Sequence, residues 1–483
     1  MESPSNVEHC LPNGWVRTTL GSVLSFVKGK KPLNLGSKLD NSFLPYVNIE
    51  AFEKKILSQY ARADGHPTCN KDDVLIVWDG ARCGLVGRGV DGIIGSTLAK
   101  LPYDEMDGSF IFYFLQSKYN LINKRPRGVG IPHVEPNLFW SIVFPLPPLP
   151  EQHRIVAKIE ELFSDLDAGI EALKKVKAEL KRYRQSVLKA AVEGKLTAPW
   201  REANKGKVEP AAVLLERIRA GRDSVRARHA VPQRQAKDLP PIDTSELPKL
   251  PEGWEWTRVG TVAETCLGKM LDKVKNKGEY QPYLRNINVR WGGFDLSDLS
   301  QMKFEQDEEQ RYGLLHGDLV VCEGGEPGRA AVWTGTPGMK IQKALHRVRF
   351  VANTVTAEFL QSYLEHAAKN GILEKYFTGT TIKHFTGVRL AEFVLPLPPC
   401  QEQLQIVSEV ERRLSAADEV GTYCDMSLRQ AERLRQSILK RAFEGKLVPQ
   451  DPTDEPASVL LENIKRKKIE EKAIKSSNKR GKK

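Results

Sequence analysis

Several residues have types and spacings that could support catalysis. GRGVDG (87–92) matches the glycine spacing of dinucleotide-binding loops, and His133 and His384 stand in similar sequence surroundings. Three acidic residues lie at the ends of apolar runs: Asp79, Asp318 and Glu323. The glycine pattern does not clearly open a helix, and neither histidine has a nearby cluster of catalytic partners. The patterns GxxxxGK[ST], HExxH and CxxC are absent from the sequence. We therefore predict no catalytic residue and no metal site.

Cationic, glycine-containing loops are the second chemical feature. Lys and Arg suit phosphates, whereas Asn and Arg offer paired hydrogen-bonding groups to base edges. Most such residues are simply solvated, so the prediction rests on the set as a whole. In the first half of the chain we expect DNA contacts from Lys28, Lys30, Lys31, Asn48, Arg82, Arg125, Arg127 and His133. In the second half we expect them from Lys269, Lys273, Arg285, Asn286, Asn288, Arg290, Arg329, Lys343, Thr380, Thr381, Lys383 and His384.

The bulk composition agrees with a polyanionic partner. The 483 residues carry a net charge of +12, although the lysine-rich end from Lys465 supplies part of it. Because Lys and Arg attract polyanions, nucleic acid is one reading and an ordinary protein with a basic tail is the other. Seven scattered cysteines, no signal-peptide pattern and no membrane-length apolar stretch predict a cytoplasmic protein without a membrane partner.

The sequence segments that are predicted to position these loops occur twice in the chain. PLPPLPEQHRIV (145–156) returns as PLPPCQEQLQIV (396–407), an interval of 251 residues. RYRQSVLKAAVEGKL (182–196) returns as RLRQSILKRAFEGKL (433–447) at the same interval. LPNGW (11–15) returns as LPEGW (250–254) after 239 residues. A period this long indicates duplicated domains rather than a solenoid.

Each copy has a front part and a helical back part. The front parts contain short apolar runs broken by Gly, Pro, Asn and Asp, which predicts mixed α+β domains. After Glu151 and after Glu402, apolar residues recur every three or four positions, which predicts one long helix of about 43 residues, roughly 65 Å, in each copy. The prolines predict a rigid joint before each helix, and Gly194 and Gly445 predict left-handed stops. Glu151 is predicted to place a negative charge in the first turn of the helix, where the helix dipole favours it.

These elements resemble the specificity (S) subunit of Type I restriction–modification systems. The resemblance is carried by LPNGW and LPEGW, by the two proline–Glu-Gln motifs, by the two helix ends and by PASVLLENIKRK, and it covers nearly the whole chain. It implies an α+β fold with two tandem target recognition domains, each followed by a long helix, and an antiparallel coiled coil with pseudo-twofold symmetry. From the residues alone, a parallel pair or separate partners for the helices remain open. The second helix follows QEQ where the first follows PEQ, a small departure.

The resemblance also implies the domain plan. Target recognition domains are expected at 1–147 and 250–398, and spacer helices at 148–196 and 399–447. A linker with a short helix is expected at 197–249, and a basic tail at 448–483.

The resemblance finally implies a function without chemistry in this chain. Each recognition domain reads one half of a bipartite site in double-stranded DNA, and the helices set the spacing and dock two modification subunits. Those subunits methylate adenine N6 with S-adenosylmethionine, and two restriction subunits add ATP- and Mg-dependent cleavage; this chain itself holds no cofactor. Two alternatives stay open: a coiled-coil scaffold that binds proteins through its basic domains, and an enzyme with an unrecognised motif.

Overall fold

A computed structural model describes residues 11–38, 40, 42–123, 132–228, 241–272, 274–350 and 355–480. The chain forms two compact units. Unit 1 combines residues 11–174 with 425–480, and unit 2 is residues 175–424. No helix among the described residues is long and apolar enough to cross a membrane.

The first domain is built from short strands and short helices. Its strands are β1 (Val16–Thr19), β2 (Val27–Lys28), β3 (Phe43–Val47), β4 (Tyr60–Arg62), β5 (Thr68–Cys69), β6 (Val74–Val77), β7 (Val86–Arg88), β8 (Gly92–Ile94), β9 (Leu98–Lys100) and β10 (Val143–Leu146). Its helices are α1 (Leu20–Val23), α2 (Ile49–Lys54), α3 (Gly108–Ser117), α4 (Tyr119–Asn123) and α5 (Pro136–Ser141). One sheet has the order β2-β9-β6-β7 and the other β4-β3-β8-β5, with β3 and β8 parallel. β1 pairs antiparallel with β10, which brings the two ends of the domain together.

The connecting and second-domain elements follow in chain order. The helices are α6 (Leu149–Val192), α7 (Ala198–Ala203), α8 (Ala211–Arg228), α9 (Val259–Val262), α10 (Glu309–Tyr312), α11 (Ala357–Lys369), α12 (Gly387–Glu392), α13 (Cys400–Phe443) and α14 (Ala457–Arg480). The second-domain strands are β11 (Glu255–Arg258), β12 (Ala263–Leu267), β13 (Glu279–Leu284), β14 (Val289–Arg290), β15 (Gly293–Phe294), β16 (Ser300–Phe304), β17 (Leu319–Cys322), β18 (Ala330–Val332), β19 (Lys340–Ile341), β20 (Leu345–Phe350) and β21 (Val394–Leu397). Within the described part of the chain, 3₁₀ turns cover Asn286–Asn288, Gln306–Glu308 and Ile372–Tyr376.

The second domain repeats the topology of the first. Its sheet β12-β20-β17-β18 corresponds to β2-β9-β6-β7, and β16-β13-β19 corresponds to β4-β3-β8 with the same parallel central pair. β11 pairs with β21 as β1 does with β10. The prediction of two tandem α+β domains is confirmed, and the matching registers allow residues of the two domains to be equated.

The long helices pair antiparallel within each unit. In unit 2, Val187, Leu188 and Ala191 of α6 share a core cluster with Ile406 and Val410 of α13. Farther from this cluster, Arg184 forms an ion pair with Asp418. In unit 1, the α6 residues Ile155 and Ile159 share the core with Ile438 and Ala442 of α13. Farther along this pair, Arg435 of α13 forms an ion pair with Asp167 of α6. Each pair therefore runs in opposite directions, as predicted.

The predicted apolar seam is buried unevenly. Ile155, Ile159 and Val187 are buried, but Val176 and Tyr183 are exposed. A two-helix pair covers only a narrow stripe, so seam residues without a third packing partner stay in contact with solvent. The periodicity correctly predicted the helix and overestimated the burial along it.

The segment after each long helix completes a domain core. Ala211, Leu214 and Leu215 of α8 pack with Val262 and Leu397 in unit 2. Ala457, Leu460, Leu461 and Ile464 of α14 lie in the core cluster of unit 1. The region predicted as a basic tail therefore contains a helix that packs into the core.

A buried glutamate closes the joint between domain and helix in unit 1. Glu151 is 1% exposed, and Trp15 Nε1 donates to its Oε2 at 2.9 Å. Gln450 donates to the other oxygen at 3.1 Å and to the carbonyl of Gly445 at 2.9 Å. Glu151 lies in the first turn of α6, as predicted, and it has this tertiary role in addition. Burial raises the pKa of Glu151, and the hydrogen bonds from Gln450 and Trp15 offset that effect only in part.

Unit 2 contains the equivalent joint with a cation in it. Trp254 Nε1 donates to Glu402 Oε2 at 2.9 Å, and Thr197 donates to Oε1 at 2.7 Å. Arg201 forms an ion pair with Glu402 at 2.8 Å and also donates to the carbonyl of Gly194. Gly194 and Gly445 have φ of 67° and 69°, which confirms the predicted left-handed stops.

The glutamine of each motif explains the proline run. Gln152 Nε2 donates to the carbonyl of Pro147 at 3.0 Å, and its Oε1 accepts from the backbone of Asp107 at 2.9 Å. Gln403 does the same with Pro398 and Thr356 at 2.9 Å each. One side chain therefore ties the proline run to the residue that precedes α3 or α11.

Candidate nucleic-acid interface

Backbone hydrogen bonds gather the cationic loops of the first domain at one place. The amide of Lys30 donates to Ile94 at 3.1 Å, and the amide of Gly95 donates to Val47 at 3.0 Å. On the neighbouring loops, Trp78 donates to Thr97 and Gly80 donates to Pro132, both at 2.8 Å. We call residues 28–31, 48, 78–84, 94–97 and 132–133 the first loop cluster.

The first loop cluster holds every predicted contact of this domain that the structure describes. Lys30 and Lys31 are exposed, and among the described residues neither has an ion-pair partner. Arg82 is exposed and contacts Glu53 at 2.5 Å. Asn48 caps α2 by accepting the amide of Ala51 at 2.9 Å, which leaves its NH₂ group for another partner.

Lys28 and His133 share one carboxylate. Lys28 forms an ion pair with Asp79 Oδ2, and His133 Nδ1 lies 2.7 Å from Asp79 Oδ1. Burial raises the pKa of Asp79, but the hydrogen bonds from Lys28 and His133 outweigh it, so the net pKa is lowered. Asp79 is therefore an ionised acceptor at neutral pH.

The second domain gathers its loops in the equivalent way. The amide of Lys269 donates to Ile341 at 3.0 Å, and that of Gln342 donates to Leu284 at 3.1 Å. Glu323 donates to Ala344 at 2.9 Å and accepts from Phe385 at 2.8 Å. We call residues 268–272, 285–290, 323–329, 341–344 and 378–385 the second loop cluster.

Some residues of the second loop cluster that were predicted to contact DNA are buried and have structural partners instead. Lys269 is buried, pairs with Glu308 and lies over the Phe304 ring. Asn288 is 2% exposed, and its side chain bonds the backbone of Asp295, Asp298 and Arg285. These two side chains have no surface to offer DNA.

Other residues predicted to contact DNA hold these loops together through ion pairs, and their side chains remain partly exposed to solvent. Arg285 pairs with Asp298 at 2.8 Å. Arg329 contacts Glu326 and the carbonyl of Asn286, both at 2.8 Å. Arg290, which is exposed, lies 3.3 Å from a carboxylate oxygen of Asp295.

A third group is exposed at the second loop cluster. Lys343 has no ion-pair partner among the described residues. Lys383 lies 3.6 Å from Glu374, and its neighbours Thr380, Thr381 and His384 are exposed. Arg125, Arg127 and Lys273 lie outside the described residues.

Two of the sequence patterns with catalytic potential, GRGVDG and Asp318, are parts of the fold. GRGVDG (87–92) spans the connection from β7 to β8 and does not open a helix. Asp318 is buried and pairs with Arg349 at 2.6 Å. The described residues contain no group of three or more His, Cys, Asp or Glu side chains that could hold a metal ion.

Sequence reasoning missed the residues that hold the joints. Trp15, Glu151 and Gln450 come from three distant parts of the chain, as do Arg201, Trp254 and Glu402. The repetition of Trp and Glu in both copies was visible, but their contact was not. The sequence shows Asp79 as an acidic residue at the end of an apolar run, but nothing in it pairs Asp79 with His133.

A family profile decides the identity of this architecture. The profile of the Type I restriction modification DNA specificity domain matches residues 12–182 and 251–415, once in each copy. The chain belongs to this family. Members of the family are the non-catalytic specificity subunits of their complexes.

Individual relatives match this chain over 90% or more of its length. The chain is 24% identical to the Type I restriction enzyme EcoKI specificity subunit of Escherichia coli (strain K12), over 97% of this chain and 99% of that protein. The HsdS subunit of Thermoanaerobacter tengcongensis shares the fold with a TM-score of 0.53 and 20% identity, over 91% of this chain and 99% of that one. A chain from a structure on complex assembly and conformational transition of the type I R-M system gives a TM-score of 0.65 at 19% identity, over 90% and 99% of the two chains.

Proposed function

We propose that this chain is the DNA-reading specificity subunit of a Type I restriction–modification complex. The observation that carries the proposal is the double family match on two copies of one fold. Two reading domains in one chain fit a bipartite DNA site, with one half read by each domain. The domains proposed as readers are residues 1–147 and 250–398.

The loop clusters are the proposed reading surfaces. The major groove presents a different hydrogen-bonding pattern for each of the four base pairs, whereas phosphate contacts fix the position of the protein. We assign phosphate contacts to the exposed cations Lys30, Lys31 and Lys343. Base contacts are assigned to side chains beside them, namely Asn48, His133, Thr380, Thr381 and His384. Lys269 and Asn288 are not proposed as DNA contacts because both side chains are buried.

A salt titration tests the phosphate assignment. Replacing Lys30, Lys31 or Lys343 by alanine should weaken DNA binding for all sequences and lower the salt slope by about one for each lost contact. Lys174, which is exposed on α6, gives the matched control and should leave the slope unchanged. Equal slopes for all four variants would remove these lysines from the interface.

The long helices are the proposed ruler between the half-sites. Half-sites read from one face of DNA lie about one helical turn apart. Adding or deleting one helical turn in spacer 148–196 or 399–447 should change the length of the unread gap and keep both half-sequences. A changed half-sequence with a constant gap would contradict the ruler.

The proposed partners supply all of the chemistry. Two modification subunits bind S-adenosylmethionine and methylate adenine N6, and two restriction subunits add ATP- and Mg-dependent cleavage in a cytoplasmic complex. This chain binds double-stranded DNA and docks those subunits, with no cofactor of its own.

Methylation mapping tests the function as a whole. The chain co-expressed with its modification subunits should produce N6-methyladenine in one bipartite sequence. Exchanging residues 11–145 for another recognition domain should replace one half of that sequence and retain the other. A scaffold would give no sequence preference, and methylation or cleavage by the isolated chain would reveal a hidden enzyme.

A further inference from the structure

The contact between Asp79 and His133 fixes more than the position of the imidazole. His133 approaches one carboxylate oxygen of Asp79 with Nδ1, and Lys28 occupies the other oxygen. The side chain of His133 is 47% exposed, whereas that of Asp79 is 26% exposed. The imidazole is therefore anchored on its inner side and open on its outer side.

An ionised carboxylate accepts hydrogen bonds and donates none. A neutral imidazole held against it must carry its proton on Nδ1, which leaves Nε2 as an acceptor. Lys28 has only donors, so it cannot replace Asp79 as the acceptor for His133. The ionised carboxylate of Asp79, with Lys28 on its other oxygen, thus fixes the neutral tautomer of His133 with the proton on Nδ1.

The second domain lacks this arrangement. β6 and β17 have the same register with their neighbours, so Gly324 is the counterpart of Asp79. A Cβ atom at Gly324 would lie 3.5 Å from Nδ1 of His384, an ordinary contact distance. Among the described residues, no carboxylate faces the His384 ring. The two histidines share a backbone position and differ in what orients them.

We propose that Asp79 is a positioning residue that presents Nε2 of His133 as an acceptor for an exocyclic amino group of adenine or cytosine in the major groove. This inference rests on the proposed function. Adenine N6 and cytosine N4 are the amino donors on the major-groove edges, whereas guanine N7, guanine O6 and thymine O4 are acceptors. His133 therefore selects an amino-bearing base at one position of the first half-site.

Asp79→Asn inverts the polarity of the contact. Lys28 requires an acceptor and takes the amide oxygen, so the amide NH₂ group faces Nδ1 of His133. Nδ1 must then accept, and the proton moves to Nε2, which becomes a donor. We expect the base preference at one position of the first half-site to shift by about tenfold away from amino-bearing bases. The second half-sequence should not change.

The test is methylation mapping of the complex with its modification subunits, carried out at pH 8. Selective ¹⁵N-histidine labelling of the full chain reports the tautomer of His133 directly. A change confined to one base pair, with the proton shifted to Nε2, supports the inference. An unchanged sequence, or equal weakening at every position, overturns it.

Two further variants keep the test decisive. If Asp79→Asn does not fold, His133→Ala decides, because this half-exposed side chain contributes little to the core; it should relax the same base pair alone. An unaltered sequence in His133→Ala overturns the inference. Gly324→Asp places a carboxylate beside His384 and should convert its ring to the Nδ1–H tautomer in the ¹⁵N spectrum. A wild-type complex without any bipartite motif would instead refute the proposed function.

Discussion

The joints at Glu151 and Glu402 have the same geometry and different charges. In each, a tryptophan donates to the buried glutamate, and one further side chain bridges that glutamate to the carbonyl of the glycine that ends the other long helix. The bridge is neutral Gln450 in unit 1 and cationic Arg201 in unit 2. The joint therefore requires a donor with two hydrogen atoms to share, and it does not require a charge.

The difference has an energetic consequence. A buried carboxylate with a cation is a balanced pair, whereas one with only neutral donors carries the cost of burial. The first joint is thus held by packing and neutral hydrogen bonds, and the second also by an ion pair.

Removing the charge of Glu402 should have the largest effect. Glu402→Gln leaves Arg201 without its counter-ion and should destabilise unit 2 by about 3 kcal/mol. Hydrogen exchange of residues 250–258 measures the loss. Glu151→Gln is the matched control in unit 1: it keeps one acceptor oxygen for Trp15 or Gln450 and leaves no cation without its counter-ion, so it should cost only about 1 kcal/mol. Equal losses in the two variants would show that the joints do not differ in charge balance.

Alanine at the helix stops should destabilise both joints alike. A Cβ atom would lie 2.2 Å from Pro12 Cγ at Gly445 and 2.6 Å from Pro251 Cγ at Gly194, at φ values that favour glycine. We expect about 2 kcal/mol of destabilisation in each unit. Thermal unfolding with hydrogen exchange assigns each loss to its unit. A loss in one unit only would break the equivalence of the two backbones.

Gln450→Arg should give the first joint an ion pair like the one between Arg201 and Glu402 in the second joint. The new guanidinium can reach the carboxylate of Glu151 and the carbonyl of Gly445, as Arg201 reaches its two acceptors. Unit 1 should gain about 1 kcal/mol at pH 7. The gain should vanish in the double variant with Glu151→Gln, and its persistence there would show that it does not come from the ion pair.

The pH dependence of the first joint should be the smallest effect. Because the pKa of Glu151 is raised above its ordinary value of 4.5, its protonated form is favoured in the folded protein. Its contribution to stability is present below pH 4.5 and is lost as the pH rises through the raised pKa. Unit 1 of the wild type should therefore lose stability relative to Glu151→Gln over this range, as followed by hydrogen exchange of residues 11–19. The opposite slope would mean that the pKa is lowered.

The sequence predicted what depends on local pattern. The helical period, the prolines before each helix and the glycines after it placed both long helices to within a few residues. The contact of Trp15 with Glu151 spans 136 positions and has no local signature. Gln450 in the role of Arg201 was equally hidden, because the repeat does not align these two residues.

Charge alone did not separate reading residues from structural ones. Lys30 and Lys269 stand at equivalent backbone positions, since each donates its amide to the strand that runs parallel to the domain's central strand. Lys30 is exposed, but Lys269 is buried against Glu308 and Phe304. Lys269 is buried because of Glu308 and Phe304, which lie far from it in the sequence, so its residue type alone could not predict its burial.

Because residues 425–480 complete unit 1, they determine the order in which the two units can fold during synthesis. Unit 2 is a continuous stretch and has all of its residues once synthesis passes position 424. The first domain, although made earlier, must wait for α14 to cover its core. At about 5–20 residues per second, the 250 residues between its two parts take roughly 12–50 s to make. The domain that is translated first is therefore expected to be the last to finish folding, after unit 2.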